Sequence, residues 1–222
     1  MLEAWKNRGK KAAPLLGMLI FPVLGAIYAL TNKVDDKIYN LMTPLDHAIP
    51  FVKYFALPYA VWIFYIYVCV VYFYRKDLRV YYRSLTVYTL SALTCYLVYS
   101  VFQTTVPRPL LTGNDPFTQL VSYLYQRDQP YNCFPSIHCF SSYMVFRLLA
   151  ASKFRTRLNL TLVGSMSFLI ILSTLFVKQH AIMDVLGAVL LVEVALAVVV
   201  LTERLFVRQA VERERSRGTY GA

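Results

Sequence analysis

Acidic side chains are scarce in this 222-residue chain: 12 Asp and Glu stand against 23 Lys and Arg, and charged residues of both signs make up only 16%. Soluble domains carry roughly a quarter of their residues as Asp, Glu, Lys and Arg. The deficit, together with 58% hydrophobic residues and a mean hydropathy of +0.48, excludes an ordinary soluble protein. Four cysteines without a framework spacing exclude a disulfide scaffold. The absence of tandem repeats and low-complexity tracts excludes a repeat array. Only three histidines occur, so the position of each carries information.

Long apolar runs are what the chain has in plenty. Runs at 12–31, 51–74, 84–105, 158–177 and 181–203 reach the length of about 18 residues expected of a membrane span. A sixth, at 137–152, is shorter and contains Arg147. The pattern predicts an all-α polytopic membrane protein with six transmembrane helices in one bundle. It forms a single membrane domain, 1–222, with its core at about 50–205 and a cytoplasmic tail at 204–222 that frays into solvent. The first run follows basic residues and ends in GAIYA, as a signal peptide does, but it is longer than a usual signal core, and an uncleaved first span is expected.

The net charge of +11 invites a nucleic-acid reading, which its distribution opposes. Lys6, Arg8, Lys10 and Lys11 precede the first run; Arg75, Lys76, Arg79 and Arg83 follow the second. Lys153, Arg155 and Arg157 follow the fourth; Arg204, Arg208, Arg213, Arg215 and Arg217 follow the sixth. Six of the remaining cations occupy the alternate loops and the seventh is Arg147. This is the positive-inside bias. It puts both termini in the cytoplasm and makes the bilayer, not nucleic acid, the partner; the plasma membrane is the expected location. The sequon at Asn159 then faces the cytoplasm and is discounted.

Two outer loops hold more than turns. In DDKIYNLMTPLDHAIP, Ile38, Leu41, Met42 and Leu45 recur at helical spacing. In NDPFTQLVSYLYQRD, Asp115 suits a cap, Pro116 the first helical position, and Phe117, Leu120, Val121 and Leu124 one apolar face. Both read as short interfacial helices that either close the outer rim or border a lateral access route for a lipid.

Polar residues unwelcome in a membrane helix collect at three places. Arg108, in VPRP, follows the third span. Ser136 and His138, in CFPSIHCFSS, open the fourth. Lys178, His180 and Asp184 lie between the fifth and sixth. The topology places all six on the outer side, and polar groups at membrane depth tend to be functional. A helix opening at Pro135-Ser136 presents free N–H groups and the positive end of its dipole, an anion site. Arg108 offers a planar fork matched to phosphate oxygens. Four residues separate His180 from Asp184, so the carboxylate lies one turn from the ring, where it can fix the tautomer and leave the other nitrogen nucleophilic. His138 can supply a proton to a leaving oxygen. Blander roles compete: Asp184 as a charge at a helix start, Arg108 as a headgroup anchor, Ser136 as a simple N-cap. His47, alone in the first outer loop, is read as solvated. Arg147 and Glu193, both deep in their spans, are expected to pair across helices.

The succession RP, PSxH, HxxxD at the ends of these spans resembles the type 2 phosphatidic acid phosphatase superfamily. VPRP, CFPSIH and STLFVKQHAIMD look most like its inositol-phosphotransferase-like branch, over roughly residues 50–205. The resemblance implies a lipid phosphate as substrate, no cofactor and no metal. His180 would form a phosphohistidine, oriented by Asp184; His138 would protonate the departing alcohol and activate the acceptor; Arg108 and the Ser136 region would hold the phosphate. Two departures stand out. Val101 occupies the position of the family's first-motif lysine, and Thr174 that of the arginine after Ser173. Lys178, Gln103 and Thr174 are candidate substitutes, and a monophosphate or phosphodiester is favoured over a pyrophosphate. The expectation is thus a metal-independent lipid phosphate phosphatase with its site on the extracytoplasmic face. Transfer to an alcohol such as inositol is the alternative, and a non-catalytic lipid-phosphate binder or transporter a more distant one. Oligomeric state is left open.

Overall fold

A computed structural model describes residues 13–31 and 37–219. Lys6, Arg8, Lys10, Lys11 and Lys33, which contribute to the charge pattern, lie outside the described residues, as do the side chains of Arg213, Arg215 and Arg217. A 3-10 turn (Ala13–Leu19) runs into α1 (Ile20–Thr31). Then come β1 (Ile38–Asn40), α2 (Pro44–Ala48), a second 3-10 turn (Lys53–Phe55), α3 (Ala56–Ala60), α4 (Trp62–Lys76), α5 (Leu78–Val101) and β2 (Gln103–Thr105). The chain continues as α6 (Pro116–Arg127), α7 (Ile137–Ala151), α8 (Arg157–Phe176) and α9 (Ile182–Thr219).

Local chemistry sets these boundaries. Asp77 alone separates α4 from α5: its carboxylate accepts from Arg79 N at 2.8 Å and Val80 N at 3.3 Å, while Arg75 and Lys76 close α4 where the helix dipole favours cations. Thr156 and Asn159 open α8 with a reciprocal capping box. Asp115 caps α6 with Pro116 at its first position, as the sequence suggested.

Among the described residues, five helical segments are long and apolar enough to cross a membrane: Ala13–Leu30, Lys53–Lys76, Leu78–Val101, Arg157–Phe176 and Ile182–Gln209. The sixth apolar run folds as α7, whose 15 residues extend about 22 Å at 1.5 Å each. That is short of the ~30 Å hydrocarbon core, but α7 is the centre of the bundle. It packs on α4, α5, α8 and α9, and Phe140, Met144, Val145 and Leu149 are fully buried. A helix apolar on every side is one enclosed by protein or lipid on every side.

The outer loops differ from the helical expectation. Ile38–Asn40 is a strand, paired in parallel with Gln103–Thr105 in register Ile38↔Gln103; only Pro44–Ala48 is helical, opened by a box between Thr43 and Asp46. The backbone groups of 38–40 find a ready partner in β2, and that pairing outweighs apolar spacing. In α6 the apolar face meets protein: Val121 is fully buried and clusters with Ala56, Tyr59 and Val177 at the ends of α3 and α8.

Among the described residues, three ion pairs on two glutamates tie α9 to its neighbours. Glu203 on α9 accepts from Arg79 Nη2 at 2.7 Å and Arg83 Nη2 at 2.6 Å on α5. Arg147 Nε meets Glu193 Oε1 at 2.8 Å, and Tyr143 Oη donates to the same oxygen at 2.7 Å, as expected of two opposite charges deep in neighbouring spans. Removing one partner strands the other charge in an apolar layer. Arg147→Met alone should cost about 2–3 kcal/mol, and adding Glu193→Gln should recover most of it; unfolding in mixed micelles measures both.

Candidate active site

The first turns of α7 and α9 are fastened to each other. Ser136 N donates to the Asp184 carbonyl at 3.3 Å, and Ser136 Oγ accepts from Cys139 N to cap α7. On α9, Asp184 Oδ2 accepts from Ala181 N at 2.8 Å, and Asp46 from the outer loop caps Ile182 N at 2.7 Å. Gly187 lets the Phe134 ring lie against α9; any side chain there would drive into that ring. The Thr174 carbonyl accepts from Gln179 N and His180 N, turning the chain sharply out of α8.

This framework fixes His180. Its Nδ1 lies 3.0 Å from the Cys133 carbonyl and 3.3 Å from Asp184 Oδ2. A carbonyl can only accept, so Nδ1 carries the proton and, in the neutral ring, Nε2 holds a lone pair. Nε2 is buried and without a hydrogen-bond partner. The nearer acceptor is the Cys133 carbonyl, so it shares with Asp184 the orienting role expected of the carboxylate alone. In an enzyme that used this ring as its nucleophile, Asp184→Asn should therefore reduce turnover by about 10- to 100-fold, less than the ~10⁴ seen where a carboxylate alone sets the tautomer; the turnover number measures it.

His138 stands opposite. Its ring lies between Tyr59 (centroids 4.3 Å, interplanar angle 29°) and Trp62 (4.1 Å, 48°), and its centroid is 5.7 Å from that of His180. Its Nδ1 is buried without a partner. Both imidazoles line one cavity of about 440 Å³, with Tyr28, Asp128 and Asn132 at the same end.

Arg108 is half-buried, its guanidinium carbon 4.3 Å from the centre of the Tyr125 ring. Nη1 donates to the Tyr125 carbonyl at 2.9 Å, and Nη2 to the Asp128 carbonyl and to Gln179 Oε1. Its Nε and the Gln179 Nε2 are buried donors without a partner. Gln179 thus connects Arg108 to the residue next to His180. Lys178 adopts φ 54° in the turn between α8 and α9 and gives its ammonium to the carbonyls of Asp46 and Ile49, a brace between the outer loop and the His180 turn. Burial pushes this amine down, against the opposing pull of Asp46. Of the two neutral substitutes, Thr174 Oγ1 donates to Ile171 O and Gln103 Nε2 to Asn132 Oδ1; Val101 is exposed at the end of α5. His47 is exposed, as expected.

Asp128 was not foreseen. It follows α6, and its carboxylate accepts from Tyr28 Oη at 2.9 Å and Tyr59 Oη at 2.6 Å. Burial acts to raise its pKa, but the two imidazoles and the two phenol hydrogen bonds outweigh it and hold the group below the usual carboxylate range. It is an anion at neutral pH. The signal was available: a carboxylate at the C-terminal end of a helix opposes the dipole, so something else must stabilise it.

Among the described residues one trio, Cys133, His180 and Asp184, has potential metal-ligating atoms within 4.8 Å of one another. Burial, with the nearby charges of Asp184 and Asp128, pushes the Cys133 thiol well up. Comparisons with protein-family models, curated proteins and solved structures give no match to this chain.

Proposed function

We propose that the chain is a metal-independent lipid phosphate phosphatase, as the resemblance to the type 2 phosphatidic acid phosphatases implies, acting through a phosphohistidine at His180. The observation that carries this reading is the pair of imidazoles on one cavity. They lie 5.7 Å apart, with His180 Nδ1 held by two acceptors, which leaves Nε2 as the nucleophile.

In the first step the Nε2 lone pair attacks phosphorus, the P–O bond to the lipid alcohol breaks, and His138, having taken a proton from the entering phosphate monoanion, passes it to the departing oxygen. The positive charge on His180 is met by the Cys133 carbonyl and Asp184. In the second step a water attacks phosphorus, His138 takes its proton, and the N–P bond breaks to release inorganic phosphate. Arg108 Nε, Gln179 Nε2 and the free N–H groups of the α7 start are the donors for the phosphoryl oxygens. Burial of Nε2 keeps bulk water off the nucleophile until substrate enters. An alcohol in the place of water makes the same site a phosphotransferase.

In the bilayer, the reading has six spans with α7 as the short central one, both termini in the cytoplasm and the site on the extracytoplasmic side. Segregation of most Lys and Arg to alternate segments supports it. The test is a panel of lipid mono- and pyrophosphates offered to the purified protein in nanodiscs, with and without inositol or glycerol, scored for phosphate release and transfer. Turnover of monophosphates ahead of pyrophosphates is expected. No release and no transfer from any of them would overturn the proposal.

A further inference from the structure

The cavity does not end at the histidines. It descends between α1, α4 and α5, past Tyr99 and Tyr96 to Tyr88, Tyr67 and Phe21. From Tyr99 to Tyr88 on α5 is eleven residues, about 16 Å at 1.5 Å each, close to the ~15 Å of hydrocarbon in one leaflet. The tyrosines along its upper part spend their hydroxyls inside the protein. Tyr28 donates to Asp128, Tyr96 to the Leu24 carbonyl and Tyr99 to the Pro135 carbonyl. What they present to an occupant is ring carbon. On the α1 wall stands Gly25, where an added Cβ would meet nothing within 4 Å. That wall lies outside the stretch that resembles the phosphatase superfamily.

We propose that this shaft seats one hydrocarbon chain of the substrate, with the phosphate on that chain's end at His180 and His138, and that Gly25 keeps the shaft open. The inference rests on the lipid-phosphatase reading and narrows it to phosphates borne on a chain about one leaflet long. A slot with polar groups at one end and hydrocarbon along the rest matches a molecule of the same build. Each buried methylene contributes about 0.8 kcal/mol, so a long chain gains what a short one cannot.

Two measurements test it. Wild type and Gly25→Trp are compared on hexadecyl phosphate and hexyl phosphate. Trp is a better helix former than Gly and points into open space, so α1 is kept. The substitution should lower kcat/KM for the hexadecyl ester by about tenfold or more while the hexyl ester changes less than about twofold. Equal loss on both esters, or no loss on either, would overturn the proposal. The second measurement needs no turnover: a hexadecyl phosphate with a diazirine at its chain terminus is photolysed with the His180→Ala protein. Labelling at Phe21, Tyr67 or Tyr88 that vanishes with Gly25→Trp is the expected result. Labelling confined to lipid-facing residues such as Leu97 would sink the slot. A wild type that labels in the shaft but releases no phosphate would defeat the phosphatase reading and leave the chain site standing.

Discussion

His180→Ala should lower phosphate release from a lipid monophosphate by about 10⁴- to 10⁶-fold, the range found when a covalent nucleophile is removed. The size follows from the geometry. In the proposed mechanism every other participant binds or moves a proton, and the Nε2 lone pair is the group that bonds to phosphorus. Wild-type protein quenched during turnover of a ³²P-labelled substrate should carry an acid-labile, base-stable phosphoryl group, and the alanine variant none. Label surviving the substitution, or release within tenfold of wild type, would falsify the assignment of His180.

His138→Ala should follow with a loss of about 10²- to 10⁴-fold, the usual contribution of a general acid, and that loss should depend on the leaving group. An alkyl alkoxide needs a proton as it departs; p-nitrophenolate does not. With p-nitrophenyl phosphate the first step should survive the substitution, giving a burst of p-nitrophenol equivalent to one per protein, after which hydrolysis stalls for lack of a base to activate water. With an alkyl phosphate no burst should appear. Equal losses on both esters in the burst phase would instead assign His138 a structural role between Tyr59 and Trp62.

The sequence disclosed the parts whose signal is local. Apolar runs located the long helices, and a cap such as Asp115 needs only the three residues that follow it. The HxxxD spacing put Asp184 within reach of His180 on the expectation of a helix starting there; α9 begins only at Ile182, and the turn before it still brings ring and carboxylate to 3.3 Å. Non-local pairing was invisible. Ile38–Asn40 became a strand because β2, more than 60 residues away, offers its backbone. The second span, read as one run, is interrupted at Val61, so α3 and α4 meet in a turn that sets Tyr59 and Trp62 around His138. Past the apolar run that ends near residue 203 the same helix continues to Thr219, because the Arg, Glu and Gln residues of the tail are good helix formers. Asp128 was hidden for the same reason as β1: its stabilising hydroxyls come from Tyr28 and Tyr59, 100 and 69 residues distant. Lys178 was noticed for its charge, whereas its ammonium is engaged by carbonyls brought over by the 46–49 turn.

The bond from Ser136 N to the Asp184 carbonyl makes the two helix starts behave as one jaw. A cell that throttles this protein has little to gain by prising the imidazoles apart, since that would tear the cap of α7 and the turn before α9 together. The other wall is joined to the site separately: α1 leans chiefly on α5, and its Tyr28 reaches Asp128 at the end of α6, so a change in the packing of α1 alters the width of the cavity without touching either cap.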